Sequence, residues 1–354
     1  MIFAGCCRAS RKYGHKMTTE SSFNRITDIL DQVYGKYTPG WVPKCYADNK
    51  SRYLWTDAFG VINYLSLYCE KKDDKYLHQA KALVEHVHEV LGKTRDGSSR
   101  LGTATDASPC ASGLRIGKPE PEGAGMSQDG QYYHYLVKWM FALHRMTRVT
   151  GETMYNLWAT HLIKGVHWKF THGPAGARRM FWKMSIDLER PLVPSEGLGD
   201  PYSGLVMYKL VDGGSGVLRE EIDDIQQMVE KRYSRYGSDD CLGIGCTLWL
   251  CSWFPEDHWS KRLKEVSIKG AEKWWKSEEK RSPSKYRLAF REFGLTIGVQ
   301  CLPELVSQWN SRVEELHEFW KPPKLFERDC DITPVMYCTS LFPGVFSATY
   351  QFAD

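Results

Sequence analysis

The sequence predicts an all-α fold, an (α/α)6 toroid in which six helical hairpins make an inner and an outer ring. Three observations predict it. Strand signals are nearly absent, whereas apolar residues recur at helical spacing through most of the chain. The helices alternate between two kinds, apolar almost all round and apolar on one side only. One supersecondary unit also repeats, in YLSLYCEKKDDKYLHQAKALVEHV (64–87), FALHRMTRVTGETMYNLWATHLIKGV (141–166) and LWLCSWFPEDHWSKRLKEVSIKGAEKWW (248–275). Each copy runs from an apolar helix through a short polar turn with an acid to an amphipathic helix that opens on an aromatic. Units that cannot bury their apolar faces alone must stack on neighbours, and six of them with apolar inner helices favour a closed ring.

Residues 1–19 carry Arg8, Arg11, Lys12 and Lys16 with no acid. They read as a disordered N-terminal extension, either presequence-like or an upstream start before Met17. Residues 20–354 read as a single toroid domain, in which the amphipathic segment 22–35 supplies the sixth outer helix. The first inner helix is 55–69, followed by an outer helix over 76–91 whose stripe is Tyr76, Ala80, Leu83, Val84, Val87 and Leu91. Inner helix 130–146 precedes outer helix 152–170, striped by Tyr155, Trp158, Ala159, Leu162, Ile163 and Val166. Inner helix 201–211 precedes the stripe Leu218, Ile222, Ile225 and Val229, and inner helix 240–253 precedes Leu263, Val266, Ala271 and Trp274. Inner helix 288–302 precedes a weaker outer helix at 307–320, and 333–347 is the last inner helix.

Loop lengths mark one face. Inner-to-outer turns are short, at 70–73, 149–152 and 254–258, while most outer-to-inner connections are long, at 92–128, 172–199, 277–287 and 321–332. Long loops in compact domains usually carry function. All of these fall where inner helices begin, and there the chain places acids: Asp57, Asp129, Asp200, Asp239, Asp240, Glu292 and Asp331. An acid at a helix start caps free N–H groups and meets the positive end of the dipole. As an ensemble around one mouth, beside Tyr53, Trp55, Tyr132, Tyr133 and Tyr202, the acids also suit glycoside chemistry. One carboxyl protonates the leaving oxygen while another activates water or attacks carbon. Glu196 on the 172–199 loop joins the candidate sugar-binding set.

The hairpin order and mouth acids resemble the six-hairpin glycosidase superfamily over roughly 21–347. That superfamily includes unsaturated glucuronyl hydrolases and N-acylglucosamine epimerases. The resemblance implies a carbohydrate substrate and hydrolysis of a glycoside or unsaturated uronyl sugar. By position, Asp57 in WTDAFG and Asp129 in QDGQYYHY correspond to the two acids of the glucuronyl hydrolases. Asp129 would be the general acid/base and Asp57 its companion, with Asp200 and Asp240 binding substrate and Arg115 and Lys118 facing a uronate. The alternatives are an epimerase or isomerase using His134, or a helical ring that binds without chemistry.

Composition narrows the remaining classes. The chain has 354 residues, 42% hydrophobic and 25% charged, and its net charge of +4 is spread without like-charge blocks. That disfavours nucleic acid and membranes as partners. The 11 cysteines are odd in number and form no zinc-like C-x-x-C pair, so they read as reduced thiols of a cytoplasmic protein, with a mitochondrial location as the alternative. No metal or cofactor is expected. GSDD (237–240) and DDKYL (73–77) fall short of terpene-cyclase acid motifs, and GAGMS (123–127) lacks the Lys-Ser/Thr of a phosphate loop. Oligomeric state is not encoded legibly.

Overall fold

The computed structural model describes residues 19–45 and 52–352. The extension read over 1–19 falls outside these residues except for Thr19. The chain opens with α1 (Thr19–Tyr34) and continues with the pairs α2 (Leu54–Lys71) and α3 (Asp74–Leu91), then α4 (Tyr133–Thr150) and α5 (Thr153–Phe170). Next come α6 (Asp200–Asp212) and α7 (Arg219–Arg232), then α8 (Cys241–Cys251) and α9 (His258–Trp275). After the single turn α10 (Glu278–Arg281) come α11 (Ala289–Gln300), α12 (Pro303–Phe319) and α13 (Ile332–Leu341).

The inner helices close a ring. Helix α2 packs on α4, α4 on α6, α6 on α8, α8 on α11, α11 on α13, and α13 back on α2. Each carries its outer partner, and α1 covers α13 as the sequence predicts for segment 22–35. Inner helices are buried along most of their length, whereas α3 buries one face, the stripe through Tyr76, Ala80, Leu83, Val84, Val87 and Leu91 with Gln79 and His88 beside it. That burial difference follows from the two kinds of apolar pattern.

Two boundaries differ from expectation. Helix α4 begins at Tyr133, three residues later than predicted, because the preceding residues pair as short strands instead. The last inner helix ends at Leu341 rather than 347, since Pro343 has no amide hydrogen to continue it. The chain then turns through a 3-10 helix, Gly344–Phe346, and drives Phe346 into the ring axis. There Phe346 stacks on Trp249 (centroids 4.5 Å apart) and on Phe59 (5.2 Å), with Phe141 edge-on to Trp249 at 4.9 Å. These rings plug the middle of the toroid.

The long loops carry the only strands among the described residues. They are β1 (Glu120–Glu122), β2 (Gln128–Asp129), β3 (Gln131–Tyr132), β4 (Thr171–His172), β5 (Arg179–Met180) and β6 (Lys183–Met184). Strands β1 and β2 pair within one loop, and β4 and β5 within the next. The antiparallel pair β3–β6 ties the two loops together at the mouth.

Helices α8 and α11 cross at backbone contact. A Cβ on Gly298 would lie 2.1 Å from the Gly245 carbonyl oxygen, and one on Gly245 would lie 2.1 Å from that of Gly294. Neither neighbour is a side chain that can swing away. Gly298→Ala should therefore cost on the order of 3 kcal/mol in urea unfolding. An unchanged midpoint would mean that the crossing has slack.

Candidate functional site

The acids at the helix starts divide into two groups. Asp57, in the first turn of α2, is fully enclosed and accepts from Arg52 Nε at 2.9 Å and from its Nη2. Arg52 also donates to the Lys44 carbonyl at 2.7 Å and lies over the Tyr34 ring of α1, so this pair faces outward. Glu292 of α11 is held in the same way by Arg287, at 2.7 and 2.6 Å, and by the Trp320 indole at 2.8 Å.

Asp129 does not open a helix. It ends β2, where its Oδ2 accepts from Arg95 at 2.9 Å and Arg115 at 2.8 Å, and its Oδ1 accepts from the Gly117 amide at 3.0 Å. Arg115 also donates to the carbonyls of Val90 and Lys93, both at 2.7 Å, which fastens the long loop to the end of α3. Its guanidinium is thus bound inside the protein, not presented to a uronate. Asp240 caps α8 through the Gly243 amide at 2.9 Å and pairs with Arg291 at 2.5 Å. Glu196 bridges Arg179 and Arg232 at 3.2 and 2.5 Å.

Among the described residues, Asp200 and Asp331 make no ion pair with an arginine. Asp200 opens α6, is 4% exposed, and its Oδ2 has no hydrogen-bond partner among the described residues. A Cβ on Gly197 would fall 1.9 Å from that oxygen, so any side chain at 197 would displace the Asp200 carboxylate. Burial raises the carboxyl to about 7, against a smaller opposing pull from Lys138. Asp331 precedes α13 and accepts from Thr56 Oγ1 at 3.2 Å, and burial raises it as well. Helices α6 and α13 lie opposite each other in the ring.

Helix α4 supplies the groups between them. His134 stacks on Tyr132 (centroids 5.5 Å, planes 21° apart) and meets Trp55 edge-on at 6.0 Å. No described residue hydrogen-bonds its ring nitrogens. Burial lowers it to about 3, which keeps the imidazole neutral. One turn on, Lys138 Nζ lies 4.0 Å from the Trp249 ring centroid and 5.6 Å from that of Trp55. It makes no hydrogen bond among the described residues, and burial lowers its pKa. Trp182 of the second loop leans on Tyr132 at 5.1 Å. Lys118 sits over the Tyr53 ring at 4.6 Å, and the Tyr53 hydroxyl meets that of Tyr135 at 2.5 Å.

Two expected wall residues lie elsewhere. The Tyr133 hydroxyl pairs with that of Tyr208 at 2.6 Å and its ring packs on Phe170, between the layers. Tyr202 stacks towards Trp259 of outer helix α9. Conversely, Lys138 was missed although it is a lone lysine in the apolar run YLVKWMFAL, four residues after His134. The clamps also had a signal, since RYLWTD (52–57) and RLAFRE (287–292) both place an arginine five residues before an acid. Trp182 had none, being placed by loop pairing alone.

Among the described residues, no three His, Cys, Asp or Glu side chains gather as metal ligands, and no helix is long and apolar enough to cross a membrane. The nine described cysteines are free thiols.

Asp129→Asn would leave two guanidinium groups facing a neutral amide. It should cost about 3 kcal/mol or more and expose the 92–128 loop to proteolysis. Wild-type Tm and cleavage pattern would contradict the anchoring role.

No family model matches this chain, and no curated protein matches it in sequence. Solved structures do match its fold. A family 76 glycoside hydrolase from a bovine Bacteroides thetaiotaomicron strain superposes with a TM-score of 0.60 at 10% identity, over 92% of this chain and 76% of that one. A D-mannose isomerase does so with 0.58 at 10% identity, over 92% and 97%. A cellobiose 2-epimerase from Bacillus thermoamylovorans gives 0.57 at 11% identity, over 91% and 98%. The chain therefore has the six-hairpin (α/α) toroid fold that these carbohydrate-active enzymes share.

Proposed function

We propose that this protein is a carbohydrate-active enzyme that moves protons on a sugar held at the mouth of the ring, by epimerase or isomerase chemistry. The observation that carries this reading is His134, a neutral imidazole with no hydrogen-bond partner among the described residues, flanked by Tyr132 and Trp55 and set one turn above Lys138. A neutral imidazole can donate a hydrogen bond to the carbonyl oxygen of an open-chain sugar. Asp200, raised to about 7, is suited to take the proton from the adjacent carbon and return it. Lys138 then stabilises the negative charge developing on oxygen. Trp55, Tyr132 and Trp182 offer flat apolar faces for a pyranose ring. Asp57 and Asp129 shape the walls through their arginines.

A second reading, glycoside hydrolysis, is favoured by one observation. Asp200 and Asp331 are both raised by burial and stand on opposite helices. In that reading Asp200 is the general acid and Asp331 the base or nucleophile.

Incubation with D-mannose and with cellobiose in D2O separates the two. Epimerase or isomerase chemistry should place deuterium at C2, and His134→Asn and Asp200→Asn should each slow exchange about 100-fold or more. Cleavage of cellobiose without C2 exchange would overturn the first reading, as would binding of either sugar with neither reaction.

The pH profile gives a further discrimination. If Asp200 is the base, kcat rises through about pH 7 as it ionises; if it is the hydrolytic acid, kcat falls over the same range. Stability follows the same group. The folded state holds this proton more tightly than the unfolded chain, so wild-type stability falls from about pH 4 to about pH 7 and then levels. Asp200→Asn should remove that decline, giving a higher Tm than wild type above pH 7 and little difference near pH 4.

A further inference from the structure

A second unpaired cation lies on the α4 face beyond the aromatic plug, away from the mouth. Arg145 follows Lys138 by seven residues, two turns or roughly 10 Å along the helix. The residue is 4% exposed. Its guanidinium carbon is 4.4 Å from the Trp253 ring centroid, 5.1 Å from that of Phe141 and 5.6 Å from that of Phe352. No described carboxylate pairs with it. Its Nε is enclosed without a partner among the described residues, and so is the Trp253 indole nitrogen. The charge that acts on it most strongly is another cation, Arg148, whose guanidinium carbon lies 5.6 Å from the same Phe352 ring. Burial pushes Arg145 down to about 9, still charged at neutral pH.

Lys138 and Arg145 differ in kind. A buried lysine can shed its proton, whereas an arginine keeps its charge and has to find an anion or bear the full cost of desolvation. Both guanidinium groups lie within 5.6 Å of the Phe352 ring centroid, and that of Arg145 also lies against Trp253, whose indole N–H has no partner among the described residues. A single carboxylate would balance only one of the two cations. A phosphate dianion balances both, accepts from the planar guanidinium fork in bidentate fashion, and keeps an oxygen for the indole.

We infer that Arg145, Arg148 and the Trp253 indole form a binding site for a phosphate-class oxyanion, at the closed end of the ring and separate from the mouth. The group is either free phosphate or the phosphate of a sugar ester.

The test is thermal unfolding and calorimetry with inorganic phosphate, against sodium chloride of equal ionic strength. Wild type should bind one phosphate and gain about 2 °C in Tm at a tenfold excess over Kd. Arg145→Met, which replaces a buried cation by an apolar chain, should fold and lose the phosphate-dependent gain. Arg148→Gln, at an exposed position, should weaken binding about fivefold without unfolding the protein. Absence of a phosphate-specific gain in wild type, or an equal gain in Arg145→Met, would overturn the site. Within a positive result, mannose 6-phosphate binding tenfold tighter than phosphate assigns the ester, and equal affinity assigns the free ion.

Discussion

An inner helix of this toroid is enclosed on every side, so a charged group on it has no water to retreat to. The whole arrangement of polar residues follows from that constraint. A buried carboxylate has to be paired, to hold its proton, or to await a ligand. Asp57, Asp129 and Glu292 take the first course, each against arginine. Asp200 takes the second, its pKa lifted to about 7 by burial against a smaller opposing pull from Lys138. Among the described residues, what separates the acids at the helix starts is which of them an arginine reaches.

The clamps do more than neutralise charge. Arg115 and Arg95 come from the loop that Asp129 anchors, and Arg52 reaches the backbone at Lys44. The pairs of Asp57 and Glu292 tie the preceding connection to the first turn of an inner helix, and that of Asp129 closes the 92–128 loop on the strand that leads into one. Loops over a site are ordinarily the least stable part of a fold. Here their footings are buried, and the β3–β6 pairing joins two of them across the mouth. A wall built in this way holds Trp182 against Tyr132 although neither lies within a helix.

The ring was legible because its signal is periodicity summed over many residues, and no single position had to be right. Segment 22–35 was readable as the closing helix by elimination, since one hairpin lacked an outer member. The helix start at Asp129 was misread because an acid followed by glycine and an amphipathic run is also what a short strand leading into a helix looks like. The pairing of β3 with a segment some fifty residues away decided it, and no local pattern reports such a partner. The acids were recognised as a set but not sorted, because sorting them needs the position of each arginine. Two of those arginines stand at a fixed spacing and were available to a closer reading; Arg95 and Arg115 were not. Tyr133 and Tyr202 face the outer layer through helix rotation, which an all-apolar helix leaves undetermined from sequence.

The seam of the ring has a consequence for how the chain reaches this state. Five hairpins pair helices that are neighbours in sequence, but α13 is covered by α1. Arg25 reaches the Tyr337 hydroxyl at 3.2 Å, and Phe23 meets Phe342 edge-on at 5.0 Å, both from the far end of the chain. Until α13 has left the ribosome, the growing arc keeps two raw apolar flanks, one on α2 and one on α11. Loop-closure entropy is paid in a single late step, and the half-ring is the species exposed to sticky encounters meanwhile. Local contacts set a fast early phase and the seam a slow final one. A permuted chain that begins between two other hairpins would make the seam local and transfer the late step to a different pair of helices.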